Sequence, residues 1–134
     1  MTTLKELAAM LDAATRPSRE LDARLWWAFA DHSEDDHDLD GEPLWVMEKL
    51  WGGSPSSWTW ILQVTSSIDY ALSLVERLGF YMISLEWDRL GVVAHLGHRD
   101  EALRSWKRVA PTAPLAILRA LVAALIAQEK TDEA

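Results

Sequence analysis

The densest group of chemistry-bearing residues is Asp36-x-Asp38-x-Asp40-Gly41. Alternating carboxylates suit a hard cation that takes about six to eight oxygens, and a glycine allows the sharp turn between them. A calcium loop of the EF-hand type also needs a bidentate Glu at its twelfth position. Counted from Asp36, that position is Met47, and Glu48 comes one residue late. Pro43 stands where the short strand of such a loop pairs. Weak calcium binding, or none, is expected. His32 and His37 lie in the same acid run, where zinc would need them together with Asp35 or Asp36. His95 and His98 form an H-x-x-H at a predicted strand end, without a compelling third ligand. Ser54, Ser56 and Ser57 lie in GGSPSS, which does not match the Gly-x-Ser-x-Gly elbow. No phosphate-binding loop and no dinucleotide fingerprint occurs. The chain has no cysteine, which excludes disulfides, thiolate metal sites and a thiol nucleophile. No catalytic residue, metal or cofactor is assigned, and the chain reads as non-enzymatic.

Charge and aromatic content point to binding instead. From Asp31 to Glu42 there are seven acids, Asp31, Glu34, Asp35, Asp36, Asp38, Asp40 and Glu42, and no base. Repulsion and solvation favour an exposed loop there. Residues 1–60 carry 5 basic and 12 acidic side chains, whereas residues 61–134 carry 8 and 9, so the net charge of −8 is concentrated in the first half. Such a balance argues against a protein that grips nucleic acid phosphates directly. Of the eight tryptophans, Trp45, Trp51, Trp58 and Trp60 follow the acid run in a segment with little other core. Partly surfaced tryptophans are typical interface anchors, and the alternative is a satellite cluster under the loop. Trp27 and Trp87 are expected to fill the core.

The elements that must position these residues can be read from periodicity. A chain of 134 residues, 49% hydrophobic and 25% charged, suits one globular domain with its own core. Thr3 and Glu6 form a capping box before a helix carrying Leu4, Leu7, Ala8 and Leu11, which Arg16-Pro17 breaks. Ser18 caps a second helix with Leu21, Leu25 and Phe29 on one stripe; Trp26 and Trp27 cannot both join it. Pro43 opens a short helix through Trp51 that Gly52-Gly53 stops. Trp58, Trp60, Leu62 and Val64 alternate with polar residues, which predicts a strand, although Ile61 breaks the alternation. Ser66 is the expected cap of a helix with Ile68, Ala71, Leu72 and Val75 facing a sheet. FYMISLEW and VVAHL flank an Asp88–Gly91 turn as two strands. Residues 102–110 read as a third strand or a helical turn. Thr112 and Pro114 open a closing helix, expected to end near Gln128, with Leu115, Leu118, Leu121, Val122 and Leu125 on its stripe.

Two stretches, TSSIDYALSLVERLGF and APTAPLAILRALVAAL, together with RPSRELDARL upstream, resemble small phage and prophage proteins carrying the phage ABA sandwich domain. The resemblance covers residues 1–29 and 57–130 and leaves 31–56 as an insertion; Ala113 replaces the usual Thr before Pro114. It implies a sheet sandwiched by helices and a phage setting, and it implies no reaction. The α-β-β-β-α order is also that of double-stranded RNA-binding domains, but PTAPLAILR places no base before Arg119 to meet phosphates.

The expected fold is therefore α+β: a small antiparallel β-meander sandwiched by helices, with an N-terminal helical pair, in a single domain over 1–134. The expected function is that of a phage or prophage accessory protein, an anti-CRISPR-like inhibitor of host defence. It would bind a host nucleic-acid-binding protein with a basic surface. Its binding residues would be the seven acids with Trp45 and Trp51. The alternative is a structural phage component that oligomerises through exposed tryptophans. The N-terminal stretch carries Glu6 and Asp12 within its apolar periodicity, and Pro114 to Ala127 is too short to span a bilayer. A cytoplasmic protein of the bacterial host cell, with no membrane partner, is expected.

Overall fold

Leucines at helical spacing and a proline stop at residue 17 produce the first two elements. In the computed structural model, which describes residues 4–29, 47–49 and 51–133, helix α1 spans Leu4–Ala13 and buries Leu7 and Leu11. Helix α2 spans Arg19–Phe29. Ser18 starts it, accepting the Leu21 N–H on its Oγ at 3.2 Å. Thr3 lies outside the described residues. Helix α3, Ile68–Arg77, is capped by Ser67 rather than Ser66: the Tyr70 N–H donates to the Ser67 Oγ. The Ser66 hydroxyl turns back to the Gln63 carbonyl, so it is unavailable to the helix. Ala71 and Val75 of α3 are buried, but Ile68, expected to face the sheet, is exposed in the first turn.

Three strands follow as an antiparallel meander, β1 (Phe80–Asp88), β2 (Gly91–His98) and β3 (Glu101–Ala110), in the order β1-β2-β3. Residues 102–110 are thus strand. The Asp88 carboxylate closes the first hairpin by accepting the N–H groups of Leu90 and Gly91. Gly91 has φ +135°, and a Cβ there would lie 2.4 Å from the Ala110 carbonyl oxygen, so this turn requires glycine. The register pairs Met82 with Leu96, Leu85 with Ala94 and Leu96 with Trp106, placing them on the face that the helices cover. On the other face Tyr81 lies over Gly97, where a Cβ would come within 2.6 Å of its ring. Trp87 is not in the core: it is 67% exposed one residue before the hairpin turn. Leu90, at the turn itself, is 81% exposed.

Helix α4, Ala113–Glu133, runs past the expected end at Gln128, because no glycine or proline interrupts the chain after Pro114. Leu115, Ile117, Leu118, Leu121 and Val122 are fully buried among α1, α3 and the sheet. Arg119 stands in this apolar run for a reason periodicity does not show. Its guanidinium donates to the carbonyls of Leu11 at 2.8 Å, Asp12 at 3.0 Å and Ala14 at 2.9 Å, and to Val109 at 2.8 Å. It thereby satisfies the open carbonyls at the end of α1 and ties them to β3.

The architecture is α+β, with helices packed against a three-stranded antiparallel sheet and an N-terminal helical pair. The expected strand at Trp58–Val64 is absent. Pro55–Ser57 forms a 3₁₀ turn, and the following residues run as successive turns. Trp58, Ile61 and Val64 are buried, a spacing of three rather than two, so Ile61 belongs to the inward set that the strand reading excluded. Leu118→Ala is expected to lower stability by about 2–5 kcal/mol as a fully buried large-to-small change. Denaturant melts measure it, and an unchanged midpoint would contradict this packing.

Candidate functional site

Asp22 is only 2% exposed, although it is an acid in the first turn of α2. A buried carboxylate must be paired and hydrogen-bonded. One oxygen, Oδ1, accepts the Thr65 N–H at 2.8 Å and the Thr65 hydroxyl at 2.7 Å. The other accepts an Arg19 Nη1–H at 3.0 Å. Arg19 extends the network by donating to the carbonyls of Ile61 at 3.1 Å and Trp58 at 2.6 Å. The Ser18 N–H donates to the Thr65 Oγ1 at 2.9 Å. Backbone groups of residues 58–65 that would otherwise form a ladder are thus taken by side chains of α2, which is why this apolar stretch turns instead of extending.

The same anchoring holds a tryptophan platform. Trp51 packs edge-on against four other indoles, with ring centroids 5.2 Å from Trp26, 6.4 Å from Trp27, 5.6 Å from Trp58 and 5.5 Å from Trp60. Such tilted pairs each add about 0.5–1.5 kcal/mol beyond area burial. Trp58 is buried with Ala23, Met47 and Ile61, and its indole N–H donates to the Gly52 carbonyl at 2.8 Å. Trp26 and Trp27 both pack against this second cluster. The platform is not closed: Trp51 is 37% exposed and Trp60 is 54% exposed. Rigid indoles that present area to solvent are what a partner surface uses as anchors. Trp60, one of the four tryptophans after the acid run read as interface anchors or as a satellite cluster, stands exposed at the platform rim, whereas the predicted strand puts it on one face with the buried Trp58.

Of the sequence-predicted binding residues, Trp51 lies in this platform. Asp31, Glu34, Asp35, Asp36, Asp38, Asp40, Glu42 and Trp45 lie outside the described residues, as do His32 and His37. His95 and His98 do not form a metal pair. Three residues apart on β2, they project to opposite faces. His98 packs on the Phe80 ring and sits 2.9 Å from the Gln128 side-chain amide. Among the described residues, no three metal-ligating side chains converge, and no helix is long and apolar enough to cross a membrane. Ser54, Ser56 and Ser57 bond to one another's side chains and backbone around the 3₁₀ turn. The network around Asp22 went unpredicted. Its signal was an acid adjoining Leu21 on a helix whose apolar stripe is short.

No known family, curated protein or solved structure matches the chain.

Thr65→Val keeps the shape of this side chain but removes its hydroxyl from the buried network. It is expected to cost about 1–3 kcal/mol, the range for stranding buried polar partners. A urea melt reads the loss, and an unchanged midpoint would show that the Ser18 N–H and Asp22 carboxylate find other partners.

Proposed function

We propose that this chain is a non-enzymatic binding protein whose partner is a protein with a basic surface. The observation that carries the reading is the half-open tryptophan platform, with Trp51 at its centre and Trp60 at its rim. The acid run ends at Glu42, nine residues before Trp51, so the sequence joins seven uncompensated charges directly to the platform segment. Opposite charge steers association, while buried aromatic anchors slow dissociation. In this proposal Asp31, Glu34, Asp35, Asp36, Asp38, Asp40 and Glu42 supply the steering field, and Trp45 and Trp51 supply anchors. The resemblance to phage ABA sandwich proteins extends the proposal to a phage or prophage setting in a bacterial cytoplasm. There a host nucleic-acid-binding protein, such as a defence effector, offers a basic surface. Inhibition would then follow from occupying that surface.

A second reading is self-assembly, favoured by Trp87 and Leu90 standing exposed at the β1–β2 hairpin. Light scattering after size exclusion separates the two readings, since a stable homo-oligomer lost on Trp51→Ala or Trp87→Ser would support the second.

The partner is to be captured from nuclease-treated lysate, purified, and measured by binding kinetics. Affinity is expected to fall at least about tenfold between roughly 0.05 and 0.5 M salt. Changing Asp35, Asp36, Asp38 and Asp40 together to Asn should slow association with the fold intact, and Trp51→Ala should speed dissociation. If the fourfold variant binds as tightly as the parent at low salt, the acid run is a solubilising insertion and the reading fails.

A further inference from the structure

A cleft of about 120 Å³ opens between α2, residues 62–64 and α3, on the side of α2 that carries Trp26. Its walls are apolar: Leu25, Trp26, Phe29, Leu62, Val64 and Leu74. Asp22 and Arg77 are its two charged neighbours, and they differ in what they have left to offer. Both oxygens of Asp22 are already engaged, by Thr65 and by Arg19. Among the described residues Arg77 makes one hydrogen bond, from Nη2 to the Phe29 carbonyl at 2.5 Å, and it is exposed. Among the described residues no carboxylate pairs with it, so the rest of its planar fork is open to an anion.

We propose that this cleft is a binding site for a small apolar carboxylic acid. The volume limits the body of the ligand: an apolar cavity of roughly 150 Å³ holds benzene, so this open cleft of about 120 Å³ takes no more than a single, partly inserted ring or a short branched chain. Chemistry sets its head group. A guanidinium with free donors at the end of an apolar cleft recognises a carboxylate through two parallel hydrogen bonds. A cationic ligand would meet in Asp22 a carboxylate that is 2% exposed and already paired with Arg19. Trp26 lines the cleft and also touches Trp51 at 5.2 Å, so a bound acid would adjoin the platform without competing for its exposed face.

Phenylacetate, its neutral isostere phenylacetamide, and acetate are the compounds to titrate into the isotope-labelled full chain, followed by amide NMR shifts. Phenylacetate is expected to shift Leu25, Leu74 and Arg77 saturably, and to bind about tenfold more tightly than phenylacetamide. Acetate, which lacks the apolar body, should leave these signals in place. Leu74→Trp, which fills the cleft, should abolish the response to both ring compounds. Arg77→Gln should reduce phenylacetate to the level of the amide. The acid–amide comparison needs no variant and decides the matter if a substitution perturbs folding. Equal binding of acid and amide would overturn the proposal. So would the absence of any saturable shift up to about 20 mM, past the millimolar range expected for so small a ligand.

Discussion

A single buried carboxylate governs how residues 58–65 are held against helix α2. Asp22 leaves water only because Thr65 and Arg19 satisfy both of its oxygens. Removing one partner of such a pair strands the rest, at a cost of about 3–5 kcal/mol. The consequence is directional. Arg19 and Asp22 lie one turn apart on α2, so whatever they hold is fixed against the first turn of that helix. They hold the carbonyls of Trp58 and Ile61 and the amide of Thr65. The chain from 58 to 65 is therefore a strap across α2, and the strap positions Trp58 and Trp60 to meet Trp51.

The main core is organised differently. Apolar burial between α4 and one face of the sheet dominates there, and its principal polar device, Arg119, serves carbonyls rather than a carboxylate. Four acceptors from α1 and β3 converge on one guanidinium, which fixes α1 relative to the end of the meander. The molecule thus combines an apolar core, built by periodic leucines, with a polar-anchored aromatic annex. The exposed indoles Trp51 and Trp60 belong to the annex, and the Arg77 cleft lies where annex and main core meet, lined by Trp26 of the one and by Leu25, Phe29, Val64 and Leu74 of the other. A binding surface of rigid rings needs such anchoring, since mobile indoles would lose conformational freedom on association.

Periodicity made the second half of the chain legible. The stripes of α3 and α4, the Asp88–Gly91 turn and the meander follow from spacing and turn chemistry that act locally. The strap was illegible for the opposite reason. Trp58, Trp60, Leu62 and Val64 alternate as a strand would, and the groups that override this come from residues 18–22, some forty positions away. Likewise Arg119 reads as an interruption of an apolar helix until the end of α1 is placed beside it. Trp87 reads as core on its residue type alone, and its exposure follows from its place at the end of a hairpin. Within the candidate site, the clustering of Trp51, Trp58 and Trp60 is legible in the sequence, whereas which of them is buried and which exposed depends on the strap.

Near-ultraviolet circular dichroism of Asp22→Ala, combined with amide exchange, reads whether the Asp22 network holds the tryptophan platform in place. Most of the indole fine structure is expected to be lost, because Trp51, Trp58 and Trp60 lose their fixed mutual geometry. Amides of β2 and α4 should keep their protection. An unaltered indole spectrum, or an equal loss of protection across sheet and platform, would contradict that role of the network.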